Sequence, residues 1–527
     1  MENCKVLNNG ASLFVNTMPE AKKVYLDIFF RCGSAYEKPE ENGISHFLEH
    51  MIFELDSKFR SSEIETNFKK LFASKNASTG DLSLSFRSSV IRKNFEEVFD
   101  YVCHYIEHPD FSENEKNLNA LEKQRQIILA EKERADVGQK KRMQSKRREH
   151  IFKGTAFEKN VIGTEETIKN ITLEKLKKHY EKFFIPENMF IIITGNITLE
   201  EAEKLVYKCF DSRLSKRSDE KILAEFNNII EETSKIFKIK NDAMICIDED
   251  KNFKEGSVVS LNFLGVDYFN KDCVGLKLLN LVLSGLGLSS RLTKRIREEE
   301  KLAYSVSSSR FSELENCFFK ITSTINTKNI EKLLNCVADV FAEILKNGVS
   351  EEEFTQIVEG QKNGLECESD FETIQGRHSE FVGRVARSEF KYILDRDELL
   401  HRFFKAKRED IIEALKVVLQ SNPMLLIYGQ KPEKEIDLNK LKNMFKLESL
   451  MQRDYSSGKV DSLYKNNLEE EYTNIQQQNP KIELVNTIKN NINLVKDKTN
   501  NSEIQNKFTK ELENSRADNT SKELSAI

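Results

Sequence analysis

At 527 residues the chain exceeds the roughly 250–300 over which a single hydrophobic core keeps growing, so it holds more than one domain. Hydrophobic residues make up 39% and charged residues 32%, the balance of packed domains with solvated helices, and no apolar run reaches the ~18–20 residues of a membrane-spanning helix. Eighty-one basic against 86 acidic residues give a net charge of −5, which argues against a general nucleic-acid binder.

The opening Met1-Glu-Asn-Cys-Lys-Val6 has neither the apolar centre of a signal peptide nor the Arg/Ser-rich character of a transit segment. The nine cysteines are scattered without a C-x-x-C pair, so reduced thiols and a cytoplasmic location are expected. Val24-Tyr-Leu-Asp-Ile-Phe-Phe30 is strand-like and runs into the turn signal Gly33-Ser34. Helical periodicity follows over Asn94–Glu107, over about 112–137 and over Glu174–Phe184. Met189-Phe-Ile-Ile-Ile-Thr-Gly195 closes this stretch as a second apolar strand after Pro186. Residues 1–210 therefore read as a first domain, and the polar residues 211–243 as a linker.

Residues 244–449 repeat the plan. Val258-Val-Ser-Leu-Asn-Phe-Leu264 opens as a strand, helices are expected at Val274–Val282, 328–347 and 350–419, and Met424-Leu-Leu-Ile-Tyr428 closes. Gly195 and Gly429 are offset by 234 positions, as are Val24 and Val258, which points to internal duplication of a mixed α/β unit. The expected class is α+β: two homologous sandwich domains, each a mixed sheet with helices packed on it. Residues 450–527 are rich in Asn, Gln, Lys, Ser and Glu and read as a disordered tail.

Within the first domain, His46-Phe-Leu-Glu49-His50 places two imidazoles and a carboxylate at i, i+3 and i+4, on one face of a helix. Gly43 offers a flexible entry and Ser45 a cap. H-x-x-E-H is the inverted zincin pattern, with two His ligands and Glu49 as general base. A catalytic zinc takes a third protein ligand and keeps one open position. On the 112–137 helix, Glu131 follows Ile127 and Ile128 on what reads as the inward stripe, whereas Glu122 and Glu133 are turned about 180–200° away. A carboxylate directed inward needs a partner, either a metal ion or a nearby Arg or Lys.

Weaker signals have plainer readings. The basic run Lys140–Arg148 reads as a solvated helix face. Gly285-Leu-Gly287 lacks phosphate-loop spacing and reads as a turn. His104 and His108 repeat the i, i+4 spacing around Glu107, but no third ligand is evident for them. No histidine occurs near Leu279–Ser284, where the second domain would carry its own metal helix, so one Zn²⁺ per chain is expected.

Gly33-Ser-Ala-Tyr-Glu37, Asn42-Gly43, His46–Met51, Asn76-Ala-Ser-Thr-Gly80, Ile128-Leu-Ala-Glu131, Pro186-Glu-Asn-Met189, Ser289-Ser-Arg-Leu292, Arg297 and Leu302-Ala-Tyr304 occur in one order over about residues 1–430. In that order they resemble the pitrilysin family of zinc peptidases, which includes insulin-degrading enzymes and mitochondrial processing peptidase, and most of all its short processing-peptidase-like members. The resemblance implies a zinc endopeptidase cleaving unfolded peptides or presequences, with His46, His50 and Glu131 as ligands and Glu49 activating water. It implies that a substrate strand pairs with the edge carrying Asn76 and Ala77, and that Arg297 and Tyr304 grip it from a facing domain. Long members carry four such domains, so this chain resembles one half, and a homodimer or a heterodimer with a metal-free homologue is expected. Gln124 stands where relatives often carry a second carboxylate, and Ile52-Phe-Glu-Leu-Asp56 stands in place of a Lys-Gly-Thr turn. The alternative implied is a catalytically weak homologue that serves as a binding or scaffold subunit.

Overall fold

Alternation along β3 (Lys23–Phe30) sorts its side chains onto two faces: Val24, Leu26, Ile28 and Phe30 join one apolar cluster and Phe29 another. β6 (Met189–Gly195) behaves alike, with Met189, Ile191 and Ile193 on the first side and Phe190 and Ile192 on the second. Burial on both faces is why both strands read as continuous hydrophobic runs. They form the centre of a six-stranded sheet in the computed structural model. It describes residues 2–453 apart from 56–60, 72, 138, 252, 255, 266–272, 314–315, 368–372, 388–389, 391–392 and 394–400.

With β1 (Glu2–Val6), β2 (Ser12–Thr17), β4 (Ser74–Thr79) and β5 (Leu84–Ile91), the first sheet has the order β1-β2-β6-β3-β5-β4. The second sheet joins β7 (Met244–Glu249), β8 (Ser257–Leu264), β9 (Val306–Glu313), β10 (Asn316–Ile325) and β11 (Met424–Gly429) in the order β7-β11-β8-β10-β9. Without β1 the two orders correspond strand for strand. Each has one parallel pair, β2 with β6 and β7 with β11, in the same place. The α+β class and the duplication are thus visible in the topology. The closing glycines match as well: Gly195 and Gly429 have φ of +152° and +119°. A Cβ would lie 2.8 Å from the Lys23 carbonyl at the first and 2.4 Å from the Phe253 ring at the second.

Helices cover the first face of each sheet. Over the first sheet lie α1 (Ile44–Ile52), α2 (Ser61–Lys70) and α3 (Phe95–Glu107), followed in the chain by α4 (Glu115–Val137) and α5 (Gln139–Ile151). Phe30 stacks on Phe184 with ring centroids 4.2 Å apart, and truncating either ring to Ala would cost about 3–5 kcal/mol. The second face of each sheet is covered by the other half of the chain. Phe381 and Val385, on the helix Ile374–Arg387, pack on Phe14, Phe29, Phe190 and Ile192 of the first sheet. Reciprocally, Ile151, Phe152 and Phe157 pack on Phe318 and Met424 of the second.

Three expectations are corrected. Residues 211–243 contain the helix Glu220–Lys235, because Ile222, Leu223, Phe226, Ile229 and Ile230 recur at helical spacing and pack on the first core. Among the described side chains the basic run is a solvated face only in part, since Lys146 and Glu149 pair at the surface. Arg148 makes two 2.7 Å contacts to Asp81, Arg142 lies 3.1 Å from Asp250, and His150 lies 3.0 Å from Asp248. The charges that looked surplus in the sequence therefore pair with acids brought in by the turn after β4 and by β7. Finally, ordered structure continues past 449 through the helix Leu447–Gln452 to Arg453, whose guanidinium contacts Asp339 at 2.6 Å. The remainder of the expected tail lies outside the described residues. The cysteines with described side chains are free thiols. No helix among the described residues is long and apolar enough to cross a membrane.

Candidate metal centre

The entry to α1 is built by a buried carboxylate. Gly43 precedes the helix at φ +93°, where a Cβ would meet the Ile162 carbonyl at 2.4 Å. The backbone N–H groups of Gly43 and Ser45 donate to Glu37 at 2.8 and 2.9 Å, as does the Asn42 amide at 2.9 Å. Burial pushes the Glu37 carboxyl pKa up, and these donors oppose the rise. Ser45 is therefore not the cap expected for α1. Its hydroxyl contacts His179 Nε2 at 3.0 Å, and Glu37 supplies the acceptor for the free amides.

Phe47, Leu48, Met51 and Ile52 are fully buried and fix the rotation of α1. His46, Glu49 and His50 then face α4 and β4. Glu131 Oε2 lies 3.8 Å from His46 Nε2 and 3.6 Å from His50 Nε2. These distances are close to the ~3.4 Å between neighbouring ligand atoms of a tetrahedral ion with bonds of about 2.0–2.1 Å. The donor set fits zinc: two imidazole nitrogens and one carboxylate oxygen, all within 4.8 Å of one another. Burial, with a smaller contribution from His50, pushes the His46 pKa down to about 4, which keeps the ring in its neutral, metal-binding form.

Glu122 and Glu133 are exposed, as the helical phase requires, and Glu122 pairs with Arg125 at 3.0 Å. The supporting stripe differs from expectation. Ile127 is 38% exposed, and the buried residues beside Glu131 are Leu121, Gln124 and Ile128. Gln124 Oε1 accepts from His50 Nδ1 at 3.1 Å, and Gln124 Nε2 donates to Glu54 Oε1 at 3.1 Å. Gln124 and Glu54 thus occupy the departures noted in the sequence and join the metal centre from behind.

β4 is the edge strand of its sheet, paired among the described residues with β5 alone, with Asn76 exposed and Ala77 half-buried. Its last residue, Thr79, donates its hydroxyl to Glu49 Oε2 at 2.6 Å. The Glu49 carboxyl pKa is raised, first by burial and also by the charge of Glu131, while the Thr79 hydroxyl and His50 oppose the rise. The sequence reading missed Thr79 and Glu54. The hydroxyl sits within the quoted Asn76–Gly80 motif, but its pairing with Glu49 depends on how β4 meets α1.

Arg297 and Tyr304 lie in the second half, with the guanidinium 4.8 Å from the ring centroid and Tyr304 82% exposed. Among the described residues their ion pair and ring contact involve Glu298 and each other, not His46, His50 or Glu131. The motif sits in irregular backbone: π-helical turns at Leu281–Gly285 and Lys294–Glu299, and Lys301 at φ +52°. His108 does find a third group, since Asp211 Oδ1 lies 3.1 Å from its Nε2 with Glu107 alongside. Glu107, however, already accepts backbone N–H groups from Asp211, Ser212 and Leu214, which makes it a chain clamp.

Comparison with known proteins finds relatives of both halves of the chain. Residues 13–165 match the family model described as Insulinase (Peptidase family M16), and residues 170–361 match the Peptidase M16 inactive domain. An uncharacterized zinc protease of Rickettsia bellii is 25% identical over 429 residues, covering 81% of this chain and 97% of that protein. A probable mitochondrial-processing peptidase subunit beta of Arabidopsis thaliana is 23% identical over 204 residues, covering 39% of this chain and 38% of that one. The crystal structure of a protease from Helicobacter pylori shares the fold, with a TM-score of 0.68 at 18% identity, over 82% of this chain and 99% of that chain.

Proposed function

Because this chain belongs to the M16 peptidase family, we propose that it is a zinc-dependent endopeptidase that cleaves extended, unfolded peptides or presequences. The observation that carries the reading is Glu49, a carboxylate held by the edge-strand Thr79 beside the His46–His50–Glu131 donor set. When bound, zinc supplies Lewis acidity, polarising a scissile carbonyl and acidifying water. His46 and His50 would hold it through Nε2, and Glu131 through its carboxylate.

Glu49 takes a proton from the attacking water and passes it to the leaving amine. A raised pKa suits a base that must also release its proton as an acid, and Thr79 keeps the carboxylate aimed at the reacting atoms. An extended substrate adds as a strand to the free edge of β4 along Asn76 and Ala77, in register with the base at the strand's end. Arg297 and Tyr304 grip the substrate from a facing second half, and the exposure of Tyr304 supports that role. We place them across a homodimer, in which each chain serves the other's metal centre, with a metal-free homologous partner as the heterodimeric variant. The ground for a scaffold reading was Gln124, and it is weakened because Gln124 still receives the hydrogen bond from His50.

Zinc analysis of the purified chain, together with a peptide-cleavage assay on wild type and Glu49→Gln, tests the proposal.

A further inference from the structure

A side-chain amide has two orientations of nearly equal shape, and at Gln124 they have opposite chemical consequences. With Oε1 toward His50, the 3.1 Å contact requires a proton on Nδ1. That leaves the Nε2 lone pair free on the side where Glu131 Oε2 lies 3.6 Å away. In the reversed orientation the amide NH₂ would face Nδ1, which would then have to accept. The ring proton would move to Nε2 and occupy the position from which His50 binds metal.

Nothing in the His50–Gln124 contact itself selects between these states. The selection is made at the other end of the amide. Glu54 Oε1 lies 3.1 Å from Gln124 Nε2, and an ionised carboxylate can only accept. Reversal would set Gln124 Oε1 against Glu54 Oε1, acceptor against acceptor. Gln124 is 7% exposed, so water has little room to repair the mismatch. Glu54 is itself held at the end of α1, where its backbone N–H donates to the Met51 carbonyl at 2.9 Å and its carboxylate receives Lys123 at 3.1 Å. His46 has no comparable device, since its Nδ1 is buried without a hydrogen-bond partner among the described residues.

We propose that Glu54 is a positioning residue for the metal centre: it fixes the orientation of the Gln124 amide and thereby holds His50 as the tautomer with Nε2 free. The inference rests on the zinc reading given above and adds a residue that acts without touching the metal.

The test is zinc affinity of the metal-stripped full chain, measured by competition with a chromophoric chelator. Glu54→Gln is expected to weaken zinc binding by ~2-fold or more, because a Gln at 54 can meet either amide orientation and so leaves only about half of the chains in the competent tautomer. The double variant Glu54→Gln/Gln124→Glu should restore wild-type affinity, since a carboxylate at 124 accepts from Nδ1 whichever way it is turned. Lys123→Met removes the other partner of Glu54 and should leave affinity unchanged, whereas a role based only on local charge would make binding tighter. Unchanged affinity in Glu54→Gln, no recovery in the double variant, or tighter binding in Lys123→Met would each overturn the proposal. If Glu54→Gln does not fold, the double variant and Lys123→Met decide alone. Wild-type protein that takes up no zinc would contradict the zinc reading and this inference together. Wild type that binds zinc beside an unaffected Glu54→Gln would contradict only this inference.

Discussion

Thr79, the last residue of the edge strand, donates its hydroxyl to Glu49 Oε2 at 2.6 Å, so the strand that would receive a substrate ends on the group that would act as base. Burial raises the Glu49 pKa and the Thr79 hydrogen bond lowers it. Thr79→Val removes that opposition and should raise the pKa further. A general base works only when ionised, so the acid limb of the kcat/KM profile should move to higher pH. Activity should fall on the acid side of the profile and recover as pH rises, because the base is lost there by protonation. An unshifted acid limb would remove Thr79 from the account.

The third ligand is testable by helical phase. Glu131→Gln should weaken zinc binding by more than the ~10–100-fold typical of losing an outer support. The same change at Glu122, which pairs with Arg125, or at the exposed Glu133 should leave affinity unaltered. Zinc affinities of the three variants settle the assignment, and loss confined to Glu133→Gln would contradict it.

Stability of the metal-free chain should carry a signature of His179. Its ring lies buried between Ser45 and Cys32, at 3.0 and 3.2 Å, and burial, helped by the nearby Lys182 charge, pushes its pKa from 6.5 down to about 3. Below pH 6.5 the unfolded chain takes up a proton that the folded chain refuses. Stability is therefore retained above 6.5 and falls by ~1.4 kcal/mol per pH unit as pH drops toward 3. His46 adds to the loss between 6.5 and about 4. Melting temperatures at pH 7 and pH 5 should differ less in His179→Gln than in wild type. An equal difference would mean that His179 does not remain neutral.

Assembly can be tested by complementation. If Arg297 and Tyr304 of one chain serve the metal centre of another, then Glu49→Gln and Tyr304→Phe, each inactive alone, should recover part of the activity when mixed and allowed to exchange. Absence of rescue despite demonstrated exchange, or an active sedimenting monomer, would contradict the shared site.

The parts legible in the sequence are those where one local pattern dictates the outcome. β3, β6, β8 and β11 are buried along most of their length and rich in apolar residues, so they stand out as runs, and His46, Glu49 and His50 share a helix face by spacing alone. β9, Val-Ser-Ser-Ser-Arg-Phe-Ser-Glu, has no such run, and its place at the sheet edge comes from pairing with β10. The Glu220–Lys235 helix was hidden because its few apolar residues are diluted by charge. Arg142 and Arg148 read as solvent-facing charge because Asp250 and Asp81 lie far away in the chain. Gln124 presents the same difficulty in a single residue. Its identity marks a missing carboxylate, and only the fold reveals Glu54 on its far side.

The central claim is that Glu49 is the base of a zinc peptidase, and Glu49→Gln tests it most directly because it preserves size while removing the proton acceptor. Zinc content and peptide cleavage should be measured on the same preparations of wild type and variant. The account predicts equal zinc in both and cleavage reduced at least ~100-fold in the variant, within the range that general-base catalysis contributes. Comparable cleavage by Glu49→Gln, or a wild-type chain that holds zinc yet cleaves no unfolded peptide, would contradict it.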